Sequence, residues 1–316
     1  MAKFTRRDVL KTIGIAGIAG ALPTLSSAKP RRALRIAHLT DIHVQPELRA
    51  GEGMGECLRH VNSQKDKPQM ILTGGDLIMD AFDNPRERTK LQWDLFLKTL
   101  RDNNAIPVEH CLGNHDIWGW NKPKSGATGN EPDFGKKWAL ETLGLSKAYR
   151  SFDRGGWHFV VLDSVQPKAE NAYFGQLDDE QFEWLTGDLA ATKLPTLVIS
   201  HIPILTATNL LDSKSEIRKD KYEISTSDML ADCRRIVNLF SKHPHVKVAL
   251  SGHIHLTDRV DYNGVSYLCN GAVSGSWWWG DRYETKPGYA ILDLFQDGTF
   301  QNQYVPWGWK PAVKTS

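Results

Sequence analysis

Residues 106–116 read IPVEHCLGNHD, and this stretch shows the pattern on which the fold prediction depends. The apolar run at 106–112 is typical of a buried strand, and the polar residues Asn114, His115 and Asp116 follow it directly. Similar runs occur at 34–39, 70–73, 159–162, 197–200 and 246–250. Apolar residues at helical spacing lie between several of these runs. This alternation of strands and helices predicts an α/β fold.

Three helices are indicated by apolar residues that recur three or four positions apart, at 93–100, 182–189 and 229–240. Asp178, three residues before Gln181, supplies a start signal for the second helix.

The chain after residue 28 is predicted to form a single domain, 29–316, because it contains no internal repeat and no interior linker. Its tail, 267–304, is predicted to be rich in β-structure. The polar stretch 211–225 is predicted to be an exposed loop.

The first 28 residues have the features of an export signal. Arg6 and Arg7 precede a weakly apolar stretch at 13–22 that glycines interrupt, and small residues end the segment at Ala28, where we expect cleavage. The paired arginines resemble a twin-arginine signal, so the Tat export machinery would be a partner and the folded protein would reach the periplasm. An ordinary secretory signal that happens to contain two arginines is the alternative.

Composition and charge exclude several classes of protein. The 316 residues are 41% hydrophobic and 24% charged, as in ordinary globular proteins. No apolar run reaches the roughly 20 residues that span a bilayer, so no stable membrane span is expected. The formal net charge is +2, but residues 1–28 hold four basic residues and one acidic residue, a net of +3, which leaves −1 for the rest. A long nucleic acid is therefore not an expected partner.

The four cysteines lie far apart and show no spacing typical of a metal site; they are Cys57, Cys111, Cys233 and Cys269. We expect buried free thiols, although an oxidising compartment permits a disulfide.

Polar residues that can bind metals follow the predicted strands, and strand ends meet at one edge of an open α/β sheet. The residues are Asp41, His43, Asp76, Asn114, His115, Asp116, His201, His253 and His255. Imidazoles, carboxylates and a carboxamide form a nitrogen and oxygen ligand set suited to Fe, Mn or Zn. One Asp can bridge two ions because it has two oxygens. Taken singly, each fragment is more typical of a turn beside a structural histidine.

In their order along the chain, the fragments resemble the signature of the calcineurin-like metallophosphoesterases. They are Asp41-Ile42-His43, Gly75-Asp76, Gly113-Asn114-His115-Asp116, His201 and Gly252-His253-Ile254-His255. The resemblance covers positions 41–255. It implies a four-layer α/β/β/α sandwich of two mixed sheets, with a site for two transition metal ions at its rim.

The resemblance also implies a ligand assignment and an activity. Asp41, His43 and His255 would hold the first ion, Asn114, His201 and His253 the second, and Asp76 would bridge them. Two such ions, roughly 3.5–4 Å apart, clamp phosphoryl oxygens and share a hydroxide that attacks phosphorus in line. The expected reaction is therefore hydrolysis of a small phosphate ester without a covalent enzyme intermediate.

His115 is adjacent to a candidate ligand but is not itself assigned to a metal. We hypothesise that it stabilises charge on the phosphoryl group or protonates the leaving oxygen, and that Asp116 orients its ring. The alternative for Asp116 is a turn residue that binds only local backbone.

Tryptophans flank the candidate ligands and raise a question about substrate binding. Trp118 and Trp120 follow the Asn-His-Asp run, and three consecutive tryptophans occupy 277–279. They either pack a small sheet or lid, or form an aromatic wall for a nucleobase or apolar substrate. Trp118 and Trp278 are the candidate substrate-binding residues.

The motif order, with Gly-Asp-Leu around Asp76, is most similar to bacterial class III cyclic-nucleotide phosphodiesterases. Met79 stands where a purple acid phosphatase would have tyrosine, which argues against a tyrosinate-bound iron. A phosphodiesterase is therefore the expected function. The alternatives are an exported phosphomonoesterase and a non-catalytic metal-binding envelope protein. The sequence leaves the physiological substrate, the metal and the oligomeric state open.

Overall fold

The computed structural model describes residues 30–169, 171–211, 216–218 and 221–311. The predicted export signal, 1–28, lies outside the described residues.

The strands follow the runs expected from the sequence, with several additions. They are β1 (Arg32–Leu39), β2 (Met70–Gly74), β3 (Val108–Cys111), β4 (Arg150–Arg154), β5 (Trp157–Val161), β6 (Val165–Lys168), β7 (Ala172–Gly175), β8 (Thr196–Ile199), β9 (Glu216–Arg218), β10 (Lys221–Glu223), β11 (Val246–Ser251), β12 (Thr257–Tyr262), β13 (Val265–Asn270), β14 (Gly288–Phe295) and β15 (Phe300–Pro306). The helices are α1 (Ala50–Asn62), α2 (Arg86–Asn103), α3 (Lys122–Ser125), α4 (Lys136–Leu143), α5 (Asp179–Ala191) and α6 (Cys233–Phe240). Short 3-10 turns occupy Asn114–Asp116 and Thr208–Leu210.

Two mixed sheets form the centre of the molecule. The first has the strand order β15-β14-β1-β2-β3 and the second β12-β13-β11-β8-β5-β4. In the first sheet β1 runs parallel to β2 and antiparallel to β14. In the second, β8 runs parallel to both β5 and β11, whereas β4 and β12 are antiparallel to their neighbours.

Three apolar clusters separate four layers. One lies between the sheets and includes Ile36 and Phe159, a second includes Ala37 with Trp93 of α2, and a third includes Leu185 of α5. Adjacent residues of β1, such as Ile36 and Ala37, therefore face different clusters, which is why apolar residues occupy consecutive positions in this strand. The predicted α/β/β/α sandwich of two mixed sheets is confirmed.

The helix predictions were correct for α2 and α5, and Asp178 accepts the backbone N–H of Gln181 at the start of α5. The third predicted helix begins at Cys233 rather than at residue 229, because the N–H of Leu230 donates to the carbonyl of Pro203 in a preceding turn. The predicted exposed loop, 211–225, contains the β9–β10 hairpin within its described part.

Helix α1 did not emerge from the sequence because glycines at 51, 53 and 55 weaken its helical propensity. Gly53 has a packing reason: a Cβ at this position would lie 2.3 Å from the ring of Trp278. The helix therefore approaches this tryptophan more closely than any side chain would allow.

All four cysteines are free, and three of them, Cys57, Cys111 and Cys269, are buried, while Cys233 is half-buried. Burial raises the pKa of Cys111 to about 12. In the part of the chain that the structure describes, no helix has the length and apolarity to cross a membrane.

His158 should make stability depend on pH. Its Nδ1 lies 2.6 Å from Asp153 Oδ1, and its Nε2 lies 2.9 Å from Asp188 Oδ2. The hydrogen bond with Asp188 raises the pKa of His158, although burial opposes this. A raised folded-state pKa means that the stabilisation is full below the ordinary value near 6.5 and is lost as the pH rises through the folded value.

We therefore expect His158→Gln to lower the free energy of unfolding more at pH 5.5 than at pH 9, as measured by urea denaturation. His243→Gln is the control. Burial lowers the pKa of His243, so this variant should not lose more stability at pH 5.5 than at pH 9. An equal loss for His158→Gln at both pH values would contradict this assignment.

Candidate metal centre

The candidate ligands lie at the carboxyl ends of parallel strands. Asp41 and His43 follow β1, Asp76 follows β2, Asn114 follows β3, His201 follows β8, and His253 and His255 follow β11. Six of the seven residues are buried; His253 is half-buried as a residue, although its side chain is only 5% exposed. The ligand positions predicted from the sequence are thus brought together at one rim of the sandwich.

The first group of donor atoms surrounds His255. Its Nε2 lies 3.1 Å from His43 Nε2 and 3.2 Å from Asp41 Oδ1. The second group surrounds His201, whose Nε2 lies 3.1 Å from Asn114 Oδ1 and 3.1 Å from His253 Nδ1. These groups have the composition that the resemblance implied for the two ions.

Asp76 joins the two groups. Its Oδ2 lies 3.5 Å from His43 Nε2 and 3.2 Å from His201 Nε2. Its Oδ1 accepts the backbone N–H of His115 at 2.9 Å, which fixes the carboxylate's orientation. One oxygen of Asp76 therefore faces both groups, as a bridging ligand would require.

The ring orientations test whether these residues fit metal ions. Nδ1 of His201 lies 2.8 Å from the carbonyl oxygen of Gly74, and Nδ1 of His255 lies 2.5 Å from that of Gly275. A carbonyl oxygen only accepts, so each Nδ1 carries a proton and each Nε2 is the ring nitrogen directed into the centre. The donor set therefore fits two transition metal ions.

The backbone at the centre adopts a conformation that non-glycine residues rarely take. Residues in the left-handed region are Asp41 (φ 55°), His43 (φ 47°), Asp76 (φ 52°), His253 (φ 71°) and His255 (φ 61°). Such conformations cost of order 1–3 kcal/mol each, and they persist where surrounding contacts determine the chain path. Here, the N–H of Asp41 donates to the carbonyl of Gly75 and that of His43 to the carbonyl of Asp76.

Burial and charge act in opposite directions on the buried groups. Burial alone would raise the pKa of Asp41, but His255 and His201 outweigh it and lower the pKa to about 2. Burial lowers the pKa of His43 to about 3, against the attraction of Asp76. Burial disfavours the charge of His201, yet Asp76 and Asp41 raise its pKa to about 9. In this environment the carboxylate of Asp41 remains anionic at neutral pH.

His115 lies beside the centre and lines a cavity. Its ring packs edge-on against that of His43 at 5.0 Å between centroids, and its Nδ1 lies 3.2 Å from Asp80 Oδ1. Burial opposes protonation of the ring, but Asp76 and Asp80 raise its pKa to about 9. Asp80 was missed from the sequence because it lies in a loop four residues after Asp76 and follows no predicted strand.

The expectation that Asp116 orients the ring of His115 is wrong. Asp116 Oδ2 accepts the N–H of Gly113 at 2.8 Å, and Oδ1 accepts that of Leu77 at 2.8 Å. Burial and the nearby charge of Asp76 raise the pKa of Asp116. The alternative interpretation, a residue that holds local backbone, describes its contacts, and Asp80 is the carboxylate beside the His115 ring.

The prediction that Trp118 and Trp278 bind substrate is also wrong, because both side chains are buried. Trp118 is 2% exposed, and its indole N–H donates to the carbonyl of Asn84. Trp278 is 1% exposed, and its N–H donates to the carbonyl of His43 at 2.8 Å, so it supports the centre from behind. Half-buried Trp277 instead faces the ligands, with its ring centroid 4.4 Å from that of His255.

A cavity of about 490 Å³ adjoins the second donor group, with Asn114 and His115 in its wall. Its aromatic side is formed by Phe82 and Tyr173, whose rings lie edge-on at 5.6 Å between centroids. Tyr173 in turn lies edge-on to His253 at 6.3 Å. The centre therefore opens beside His115 onto a space with both polar and aromatic walls.

Comparison with known proteins agrees with this geometry. A family model described as calcineurin-like phosphoesterase matches residues 34–256. A 3′,5′-cyclic-nucleotide phosphodiesterase of Nostoc sp. is 25% identical over 280 residues, covering 84% of this chain and 90% of the relative. The 3′,5′-cyclic adenosine monophosphate phosphodiesterase CpdA of Escherichia coli is 25% identical over 296 residues, covering 90% of this chain and 93% of the relative.

A solved structure shares the fold. The crystal structure of a dimetal phosphatase from Danio rerio is 13% identical, has a TM-score of 0.58 and covers 88% of this chain and 100% of its own. The residues that the family model matches include every candidate metal ligand from Asp41 to His255. The chain therefore belongs to the calcineurin-like phosphoesterase family and is a metal-dependent phosphoric ester hydrolase.

Proposed function

We propose that the protein is a two-metal phosphodiesterase that hydrolyses small nucleotide diesters, the class to which cyclic nucleotides belong. The observation that carries this proposal is the pair of donor groups sharing Asp76, which open beside His115 onto a cavity of about 490 Å³. This cavity gives space beside the metals for the nucleoside of such a diester. The activities in the names of the two bacterial relatives support the same substrate class.

Each side chain of the centre has a role in this proposal. Asp41, His43 and His255 would hold one ion, Asn114, His201 and His253 would hold the other, and Asp76 would be shared by both. The nitrogen and oxygen donor set favours Fe, Mn or Zn. Two bound ions would act as Lewis acids on the phosphoryl oxygens and lower the pKa of an attacking water.

In this proposal His115 acts on the leaving group. The carboxylate of Asp80 accepts the Nδ1 proton, so Nε2 is the ring nitrogen that this carboxylate leaves for the substrate. From this position, Nε2–H donates a hydrogen bond, and then a proton, to the leaving oxygen. The N–H of His115 holds Asp76 at the same time, so the proton donor and the bridging carboxylate are positioned by one residue.

A steady-state assay tests the function. The protein is reconstituted with Mn, Fe or Zn and assayed on bis(p-nitrophenyl) phosphate and p-nitrophenyl phosphate in parallel. We expect hydrolysis mainly of the diester. Asp76→Ala should reduce kcat by more than about a hundredfold, since outer-sphere partners of a metal already contribute 10–100-fold. Asp94→Ala, at an exposed position of α2, is the matched control and should retain activity.

Two outcomes would contradict the proposal. A preference for the monoester would make the protein a phosphomonoesterase. Hydrolysis of neither ester, with two ions bound per chain, would instead favour the metal-binding envelope protein.

We also propose that residues 1–28 direct export by the twin-arginine pathway to the periplasm. The support is the Arg6-Arg7 pair, the short apolar stretch after it and the small residues before Ala28. Replacing both arginines with lysine should stop export, as measured by activity in periplasmic extracts. Unchanged export of active enzyme would contradict the pathway.

A further inference from the structure

A second cavity adjoins the one beside the metal centre. It has a volume of about 420 Å³ and is lined by Trp120, Lys122 and Phe134. Three residues of the β6–β7 hairpin line both cavities; they are Lys168, Asn171 and Ala172. The hairpin therefore forms a shared wall, and the space for a leaving group continues from His115 past Lys168 toward Trp120.

The charges along this cleft are unevenly balanced. At the end near the metals, the ammonium of Lys124 lies 2.6 Å from Asp83 Oδ2, so the two charges offset each other. In the second cavity, Lys122 and Lys168 are both exposed, and neither forms an ion pair with another residue in the described ranges. Among the described residues, this end of the cleft therefore carries two cations that no carboxylate pairs with.

Glu131, a described acidic residue in the loop before Phe134, is already engaged. Glu131 accepts the N–H of Thr128 at 2.7 Å through one oxygen and that of Gly129 at 2.9 Å through the other. Lys122 lies instead over the ring of Phe134, 5.5 Å from its centroid. The half-buried ring of Trp120 completes this side, with Lys136 above it at 5.4 Å. Lys136 is itself paired with Asp163, so it does not add a free charge.

We propose that the enzyme selects phosphodiesters whose leaving group carries an aromatic ring and a second, terminal anion. This inference rests on the proposed phosphodiesterase function. Phe82 and Tyr173 contact the ring in the first cavity, and Lys122 and Lys168 bind the terminal anion in the second. A linear nucleotide diester with a terminal phosphate has this chemistry, whereas a cyclic mononucleotide has no second anion.

The reaction at the metals is the same for either substrate. The oxygen of water bonds to phosphorus, and the bond from phosphorus to the leaving oxygen breaks. The leaving oxygen takes one proton, so the products are one phosphomonoester and one alcohol. The two lysines act only on substrate binding, so they should affect KM rather than kcat.

The test compares substrates that differ by one terminal phosphate. The metal-loaded enzyme is assayed on the dinucleotide ApA and on the same dinucleotide phosphorylated at its 5′ or its 3′ end. We expect kcat/KM to be about tenfold higher for one phosphorylated form, the effect of two solvent-exposed ion pairs. The gain should appear in KM with little change in kcat.

Variants locate the effect. The double variant Lys122→Gln with Lys168→Gln should bring the preference close to one. Lys124→Gln is the matched control, because its charge is already offset by Asp83, and it should keep the preference.

The outcomes separate this inference from the proposed function. The inference would be overturned if the native enzyme showed no preference, or if the double variant kept the full preference. In either case, hydrolysis of bis(p-nitrophenyl) phosphate would still support the phosphodiesterase function. Failure to hydrolyse that diester would overturn both.

Discussion

Replacing His115 with alanine should lower kcat by about two to four orders of magnitude, the range that a positioned general acid contributes, while both metal ions remain bound. The Nδ1 of the ring lies 3.2 Å from Asp80 Oδ1, and a ring nitrogen lies within 4.8 Å of donor atoms of His43 and Asp76, so metal content is measured beside activity. In the proposed assignment, loss of the ring removes a proton donor without removing a ligand. The backbone N–H that holds Asp76 is retained in the variant. Steady-state kinetics with metal analysis of the same preparation measures both quantities.

The leaving group provides a second readout for His115. p-Nitrophenolate leaves without help from an acid, whereas a nucleoside alkoxide must be protonated. The kcat of His115→Ala should therefore fall more on a dinucleotide than on bis(p-nitrophenyl) phosphate. Asp80→Asn should show the same dependence with a smaller loss. If the alanine variant instead bound one metal ion fewer, His115 would be a ligand.

Replacing Gly252 with alanine should disrupt the centre through a single methyl group. The added Cβ would lie 1.9 Å from Thr40 Oγ1 and 2.2 Å from Asp41 Oδ2, distances at which atoms must move apart. Asp41 is held tightly, since its carboxylate accepts the hydroxyl of Thr40 at 2.6 Å and the N–H of His253 at 3.0 Å. We expect kcat to fall by more than about a hundredfold and the free energy of unfolding by about 1–3 kcal/mol.

Gly187→Ala is the matched control, because a Cβ at this position in α5 meets no atom within 4 Å. It should leave kcat unchanged and raise stability by up to about 1 kcal/mol, the difference in helical propensity between the two residues. Urea denaturation and metal analysis compare the variants. Native metal content and native turnover in Gly252→Ala would contradict the close approach of Gly252 to Asp41.

Most of the fold was predictable because its central strands are buried on both faces. The apolar runs that became β1, β2, β8 and β11 stand out from the polar segments between them, and residues that follow them converge by the geometry of parallel strands. Helix α1 was missed because its glycines serve tertiary packing against Trp278, which local propensity does not reveal.

The side chains around the centre were harder to predict, since their directions depend on irregular backbone. Trp277 and Trp278 are neighbours in sequence, yet one faces His255 and the other is buried behind His43. Both lie in the left-handed region, where the alternation of an extended strand does not apply. Asp116 is the neighbour of His115 in the chain, whereas Asp80 lies beside it in space. Only the loop conformation determines which of the two carboxylates reaches the His115 ring.

The two sheets contribute donors jointly to each metal site. Asp41 and His43 of the first group come from the first sheet and His255 from the second; Asn114 of the second group comes from the first sheet, and His201 and His253 from the second. A ligand that binds only the folded chain stabilises it in proportion to the logarithm of its concentration. Bound metal would thus crosslink the two halves of the sandwich. Loss of the metal would make the protein more susceptible to proteolysis and would also abolish its activity.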